Sequence, residues 1–263
     1  MENTDCVVWI TGASSGIGEA LAYAYSKKGA RLVLSSRDEA RISEVRSRCE
    51  EPGRHLVVPL DLRDASCIGA GCAKVLEHMG HVDILINNGG ISQRSLVLET
   101  PLDVDRMIME TNFFGTVALT KAVLPSMAQR RSGRIVVISS LVGRFGTPLR
   151  SAYSASKHAL HGFFESLRAE VWGLGIGVTL VCPGFIRTNI SVNALTRDGS
   201  PQGTMDEAQA NGMPPDACAR KIIAAVEKGK PEVYIGGKEL MGVYIKRFAP
   251  GLFDRIIRKT RVT

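Results

Sequence analysis

The sequence predicts one α/β domain, a doubly wound and mostly parallel seven-stranded sheet with helices on both faces. Two observations carry that expectation. Short runs rich in Val, Ile and Leu alternate with longer amphipathic ones along most of the chain, the pattern of successive βα units. Several short runs, such as Ile135–Ile138, are near-continuously apolar, as parallel strands covered on both faces are. The size agrees. At 263 residues, 44% hydrophobic and 22% charged, the chain suits one substantial core and is short for two.

In order, the predicted strands are Cys6–Thr11, Arg31–Ser36, His55–Leu60, Val82–Asn87, Arg134–Ser140, Gly177–Cys182 and Glu232–Ile235. Between them the helical stretches are Gly16–Lys28, Asp38–Cys49, Ala65–Met79, Val104–Gln129, Ser151–Gly173 and Pro215–Lys228. The rhythm breaks once, from about Phe185 to Pro214, where Asn, Gly, Ser, Thr and Pro accumulate around a short helical pattern near Met205–Ala210. A long insertion at the carboxyl end of a strand predicts a mobile cover over a site. The domain is therefore expected over 1–240, with the cover at 185–214 and a basic amphipathic tail at 241–263.

Composition narrows the function classes. The first apolar segment begins almost at Met1 and leaves no room for a signal peptide. Six cysteines form no Cys-x-x-Cys pair, which points to reduced thiols in a cytoplasmic protein. No apolar run approaches the roughly 20 residues of a membrane-spanning helix. The net charge is +7, and after Tyr244 six Lys or Arg stand against Asp254 alone, which accounts for five of those charges. With the body near neutral and no nucleic-acid motif, a nucleic-acid partner is not expected. Among five histidines, His158 and His161 share a helix face, but nothing near them in sequence completes a ligand set, so no metal is expected.

The first predicted strand ends in Thr11-Gly12-Ala13-Ser14-Ser15-Gly16-Ile17-Gly18 and enters a helix. Gly12 suits the tight turn, Gly16 lets backbone approach a pyrophosphate, and Gly18 permits close helix-to-strand packing, while the helix N-terminus favours the negative charge. The second strand ends in Ser35-Ser36-Arg37 rather than in an acidic residue. Arg37 can pair with a 2′-phosphate and stack on adenine, and Ser14 can add a hydrogen bond. Asp38 is expected to cap the following helix instead of facing the ribose. The expected cofactor is NADP(H).

The spacing Gly-x-x-x-Gly-x-Gly, followed in order by Asp61, Asn87-Asn88-Gly89-Gly90, Asn112, Ser140, Tyr153-x-x-x-Lys157 and Pro183-Gly184, resembles the short-chain dehydrogenase/reductase superfamily over about residues 5–240. One departure lies in the Gly89-Gly90 turn, where the family most often has Asn-Asn-Ala-Gly; added glycine freedom should leave the turn intact. The resemblance implies a Rossmann-like fold and hydride exchange between NADP(H) and a carbonyl or secondary alcohol. It implies that Tyr153 handles the proton, that Lys157 supports it and bonds the nicotinamide ribose, and that Ser140 orients the carbonyl. It gives Asn112 the water that joins the lysine to solvent. The implied cofactor contacts are Gly12, Ser14, Ser15, Gly16, Ile17, Gly18, Arg37, Asp61, Leu62, Asn88, Gly89, Tyr153, Lys157, Pro183, Gly184 and Thr188, with Asp61 at the adenine and Thr188 at the carboxamide.

The residues' own chemistry runs in the same direction. Tyr153 and Lys157 lie four apart on a predicted helix and project from one face. Moving a tyrosine proton near neutrality requires stabilising the phenolate by roughly 4 kcal/mol for a three-unit shift. One ammonium about 4 Å away supplies roughly that amount at an effective dielectric near 20. Ser140 ends an apolar run, and because strand side chains alternate, only one of Ser139 and Ser140 should face the site; the spacing to Tyr153 selects Ser140. Asn112 is a mediocre helix former inside a predicted helix, and it competes for backbone hydrogen bonds.

The tail interleaves ten large apolar residues with its basic ones around Pro250-Gly251. That fits an interfacial membrane segment, and equally a helix packed on the core or across a dimer. With the Tyr153 helix, it resembles family members that reduce lipid-like ketones. The expected partners are thus a small apolar carbonyl or alcohol, a second copy of the chain in a homodimer or homotetramer, and an anionic membrane touched peripherally. A 3-oxoacyl-carrier-protein reductase and a catalytically silent cofactor-binding scaffold are the competing functions.

Overall fold

The computed structural model describes residues 5–260. Residues 1–4 of the expected domain and Arg261 to Thr263 of the tail lie outside the described residues. The strands are β1 Val7–Thr11, β2 Arg31–Ser35, β3 Leu56–Val57, β4 Ile84–Asn87, β5 Gly133–Ile138, β6 Ile176–Pro183 and β7 Glu232–Ile235. They form one parallel sheet in the order β3-β2-β1-β4-β5-β6-β7. The helices are α1 Gly16–Ser26, α2 Glu39–Ser47, α3 Ala65–Met79, α4 Leu102–Met109, α5 Gly115–Arg130, α6 Ser151–Glu170, α7 Glu207–Ala210, α8 Pro215–Glu227, α9 Met241–Phe248 and α10 Pro250–Ile257.

Strand alternation sorts the core into two layers. Val8 and Ile10 of β1 pack with Leu21 of α1 and Ile222 of α8, while Val7 and Trp9 pack with Val75 of α3, Leu119 of α5 and Phe164 of α6. Trp9 is wholly buried, and its indole Nε1 donates to Ser35 Oγ at 2.9 Å. That bond satisfies the one polar group such a residue brings into a core.

Three expectations change. The strand expected over His55–Leu60 pairs only at Leu56 and Val57. Pro59 has no N–H to donate to the ladder, so beyond β3 the chain keeps single bonds from Val58 and Leu60 to Leu34 and Ser36. The helix expected over Val104–Gln129 is two helices joined through a π-turn at Glu110–Phe114. There the wholly buried Asn112 turns away from the helix ladder. Its Oδ1 accepts from Ile91 N at 2.8 Å, and its Nδ2 donates to Ile91 O and to Ser156 Oγ at 2.9 Å.

The 185–214 segment is the third. It is pinned rather than loose: Leu195 bonds the backbone of Ser92 and Arg94, and Ile186 pairs with Met213. The buried Asp206 meets Arg94 and Arg150. Buried polar fastenings of this kind make an open form costly.

The tail lies on the core. Phe253 of α10 is buried with its ring 5.1 Å from that of Phe145, and Leu141, Val142 and Cys182 complete the cluster. Met241, Tyr244, Phe248, Leu252 and Ile256 of α9 and α10 remain exposed.

Candidate active site

The order of strands reverses between β1 and β4, and such a switch point leaves a crevice at the strands' carboxyl ends. A cavity of about 1260 Å³ opens there. Its lining includes every expected site residue except Gly18 and Asn112, both of which stand behind it.

The glycine turn is built for close approach. Gly12 and Gly16 hold φ of +63° and +61°, the left-handed region that glycine enters without strain. A Cβ on Gly18 would lie 2.2 Å from Gly12 O, so only glycine lets α1 pack this tightly against the turn. From the neighbouring strand, Asn88 Nδ2 donates to Thr11 O at 3.0 Å and Gly12 O at 3.2 Å, while Thr11 Oγ1 accepts from Asn88 N and Gly89 N. The glycine pair leaves this turn intact. Ser15 precedes α1 without capping it by its side chain, so the first amides of the helix are left for an anion. These residues fit a dinucleotide pyrophosphate.

At the far end, Arg37 is exposed on the cavity wall beside Arg41. Asp38 caps α2 by accepting from Arg41 N at 3.0 Å and pairs with the Arg41 guanidinium at 3.3 Å, so its carboxylate is already engaged. Asp61 is also engaged. Arg63 holds it through two side-chain bonds, at 2.8 and 3.2 Å, and keeps it below the usual carboxylate range. Asp61 lines the cavity, where the expectation has it at the adenine. Thr188 lines the opposite wall and accepts from Gln209 Nε2 at 3.4 Å.

α6 carries Tyr153 and Lys157 on one face, as their spacing requires. Lys157 Nζ stands 5.7 Å from the Tyr153 ring centre and donates to Ile138 O at 2.9 Å. Burial pulls this buried ammonium down to about 8. Burial also raises Tyr153 above its ordinary value, opposed by the charge of Arg150, then by the Ser140 hydroxyl, then by Arg94. Arg150, Ser140 and Arg94 thus join Lys157 around the phenol. Ser140 sits past the end of β5, at the start of a 3₁₀ turn, and faces the cavity. Ser139 instead turns into α6, with its Oγ 3.0 Å from His161 Nε2 and 3.3 Å from Lys157 O. Asn112 reaches Ile91 and Ser156, with its Oδ1 3.0 Å from where a Cβ on Gly90 would be; the same Cβ would lie 3.5 Å from Lys157 Nζ.

The expectation that nothing completes a set around His161 is corrected. Cys182 of β6 and Glu232 of β7 bring their ligand-capable atoms within 4.8 Å of one another and of His161. They are far apart in sequence and meet only because adjacent strands do. Arg144 occupies Glu232, however, at 2.6 Å. Burial, with Arg144 next in effect, pulls His161 down to about 4. A guanidinium in that position opposes a cation.

Sequence reasoning missed three cavity neighbours. Gln93 is wholly buried, and its Oε1 accepts from Ala152 N at 2.8 Å and Tyr153 N at 3.3 Å, so a side chain from the loop after β4 caps α6. Arg94 and Arg150 are the other two. Nothing local marked them, because each acquires its role from a partner in a different segment. Phe145, Met241, Ile245, Phe253 and Ile256 supply an apolar wall, four of them from α9 and α10 and none foreseen as cavity lining.

Comparison with known proteins gives the same picture. Residues 6–198 match the family described as short chain dehydrogenase. The bovine dehydrogenase/reductase SDR family member 7B is 46% identical over 261 residues, covering 96% of this chain and 80% of its own length. A short-chain dehydrogenase from Streptomyces avermitilis is 31% identical, with a TM-score of 0.84 over 99% of this chain and all of that one. Two further structures carry ligands. A short-chain dehydrogenase/reductase from Burkholderia phymatum in complex with NAD shares the fold at 24% identity and TM-score 0.85, over 96% of each chain. An alcohol dehydrogenase from Thermococcus sibiricus complexed with 5-hydroxy-NADP is 25% identical with TM-score 0.77, over 89% of this chain and 97% of that one. From the glycine turn at the switch point to this likeness along nearly its whole length, the chain belongs to the short-chain dehydrogenase/reductase family of nicotinamide-dependent oxidoreductases.

Proposed function

We propose that the protein interconverts a carbonyl and an alcohol of an apolar, lipid-like substrate using NADP(H), with Tyr153 giving or taking the proton. The observation that carries the reading is one cavity in which Tyr153, Ser140 and Lys157 lie between a dinucleotide cradle and an apolar wall from the tail. When bound, the cofactor supplies or accepts the hydride. Ser140 Oγ holds the substrate oxygen and aligns it with Tyr153, and the Tyr153 hydroxyl passes its proton to that oxygen as negative charge develops there. Lys157, buried and bonded to Ile138 O, keeps a positive charge beneath the phenol and binds the ribose. Asn112 holds the Gly90-Ile91 turn against α6 through its bonds to Ile91 and Ser156. A screen of NADPH oxidation over ketones, aldehydes and 3-oxoacyl thioesters tests the assignment. Turnover is expected with long-chain apolar ketones, and a panel that leaves NADPH untouched refutes it.

The tail supports a partner for this reaction. Its exposed apolar residues stand among Lys246, Arg247, Arg255, Arg258 and Lys259, and the same two helices rim the cavity. We infer that this face rests on an anionic membrane in the cytoplasm, so that an apolar substrate reaches the cavity from the lipid. Each basic residue near such a surface contributes roughly 1 kcal/mol, and salt weakens the attachment. Removing the tail would also strip Phe253 from the core, so substitution is the sharper test. Phe248→Ser with Leu252→Ser should abolish sedimentation with phosphatidylserine vesicles and leave NADPH affinity unchanged. A wild-type protein that ignores these vesicles at low salt overturns the inference.

A further inference from the structure

A second set of charged groups surrounds the start of α6, apart from the cofactor residues. Arg94 follows β4, Arg150 immediately precedes α6, and Asp206 comes from the 185–214 segment. All three are buried, and both arginines line the cavity. Arg94 Nε donates to Asp206 Oδ2 at 2.9 Å, its Nη2 bonds the same oxygen, and Arg150 Nη2 reaches that oxygen at 3.3 Å. Gln202 Nε2 holds the other carboxylate oxygen at 3.0 Å. The remaining Arg94 donor is fixed by Ser92 Oγ at 2.9 Å and Gln93 O at 2.6 Å.

Bringing ions out of water is costly, and their geometry here is held on every side. Leu149, just before Arg150, keeps φ at +64°, a conformation that a branched residue adopts only where its surroundings impose it. Tyr153 lies three residues beyond Arg150, with its own amide under the Gln93 cap.

We propose that Arg94, Asp206 and Arg150 form a positioning cluster for the proton step: it fastens the 185–214 segment to the start of α6, and its charges govern how readily Tyr153 releases its proton. The inference rests on Tyr153 as the proton donor and acceptor. Arg150 and Arg94 are the charged groups that favour the phenolate, and burial together with Arg94 pulls Arg150 itself down to about 10. Other titratable groups packed near the phenol are Lys157 on the same helix, Cys182 of β6, whose thiol burial raises far above its ordinary range and keeps neutral, and Tyr234 of β7, which burial and then Glu232 raise. The tail meets Tyr153 with apolar side chains.

Charges of opposite sign in one cluster give the test a sign. In NADP⁺-dependent oxidation of a secondary alcohol, the rate rises with pH as the Tyr153 phenolate forms. Arg94→Gln should move the midpoint of that rise upward by about half a unit or more, Asp206→Asn should move it downward, and Arg94→Lys should leave it near wild type. Ultraviolet difference titration of each variant against the same variant carrying Tyr153→Phe should show the phenolate moving in parallel. Midpoints that stay in place while activity falls, or that move in one direction for both, overturn the proposal. If Arg94→Gln does not fold, the isosteric Asp206→Asn carries the sign by itself. Turnover retained by Tyr153→Phe would instead refute the assignment of Tyr153, a separate outcome.

Discussion

Tyr153→Phe is expected to lower turnover about a hundredfold or more while leaving NADPH affinity close to wild type, the loss typical of a missing general acid. The substitution removes a single oxygen from a part-buried side chain whose ring packs with Leu141, Val142 and Phe145, so packing is retained. The residues proposed to cradle the cofactor, the glycine turn, Asn88 and the start of α1, lie on separate elements. Lys157→Ala should differ, reducing both turnover and cofactor affinity. Stopped-flow turnover and fluorescence titration separate the two quantities. Activity in Tyr153→Phe above about a hundredth of wild type would assign the proton to another group.

The second large effect concerns the cofactor. NADPH should bind more than about tenfold tighter than NADH, the equivalent of a charge-assisted pair of roughly 1.5–3 kcal/mol, and Arg37→Asp should erase or reverse the preference. At the end of β2 the one carboxylate that could select NAD, Asp38, is held by the cap of α2 and by Arg41. Arg37 is left exposed at the cavity, with Arg41 one turn further on, so a guanidinium on this wall is open to an anion. Titration of the protein with each cofactor at fixed ionic strength measures the ratio. Equal affinities in the wild type would remove the basis for NADP(H).

Much of the scaffold was legible residue by residue. The cap at Asp38 and the left-handed turn at Gly12 and Gly16 follow from side-chain oxygens and missing Cβ atoms, which act over three or four residues. The facing of Ser140, with Ser139 turned into α6, follows from strand alternation. Other features had no local signal. Asn112 stood inside one long predicted helix, but its partners Ile91 and Ser156 lie 21 and 44 residues away, and it meets them at the π-turn. The set His161, Cys182 and Glu232 escaped notice for the same reason, as did the cap that Gln93 places on α6.

By itself the sequence determined the layered parallel sheet, the glycine turn after β1 and the order of residues along the site, because periodicity and turn chemistry act between near neighbours. Tertiary structure alone decided that the 185–214 segment is fastened down, that the tail closes one wall of the cavity, and that Arg94 and Arg150 line it together with Tyr153. Each depends on groups that meet only after folding, as Arg94 meets Asp206 across 112 residues. Buried charge requires a partner wherever in the chain that partner lies, and no local pattern records where that is.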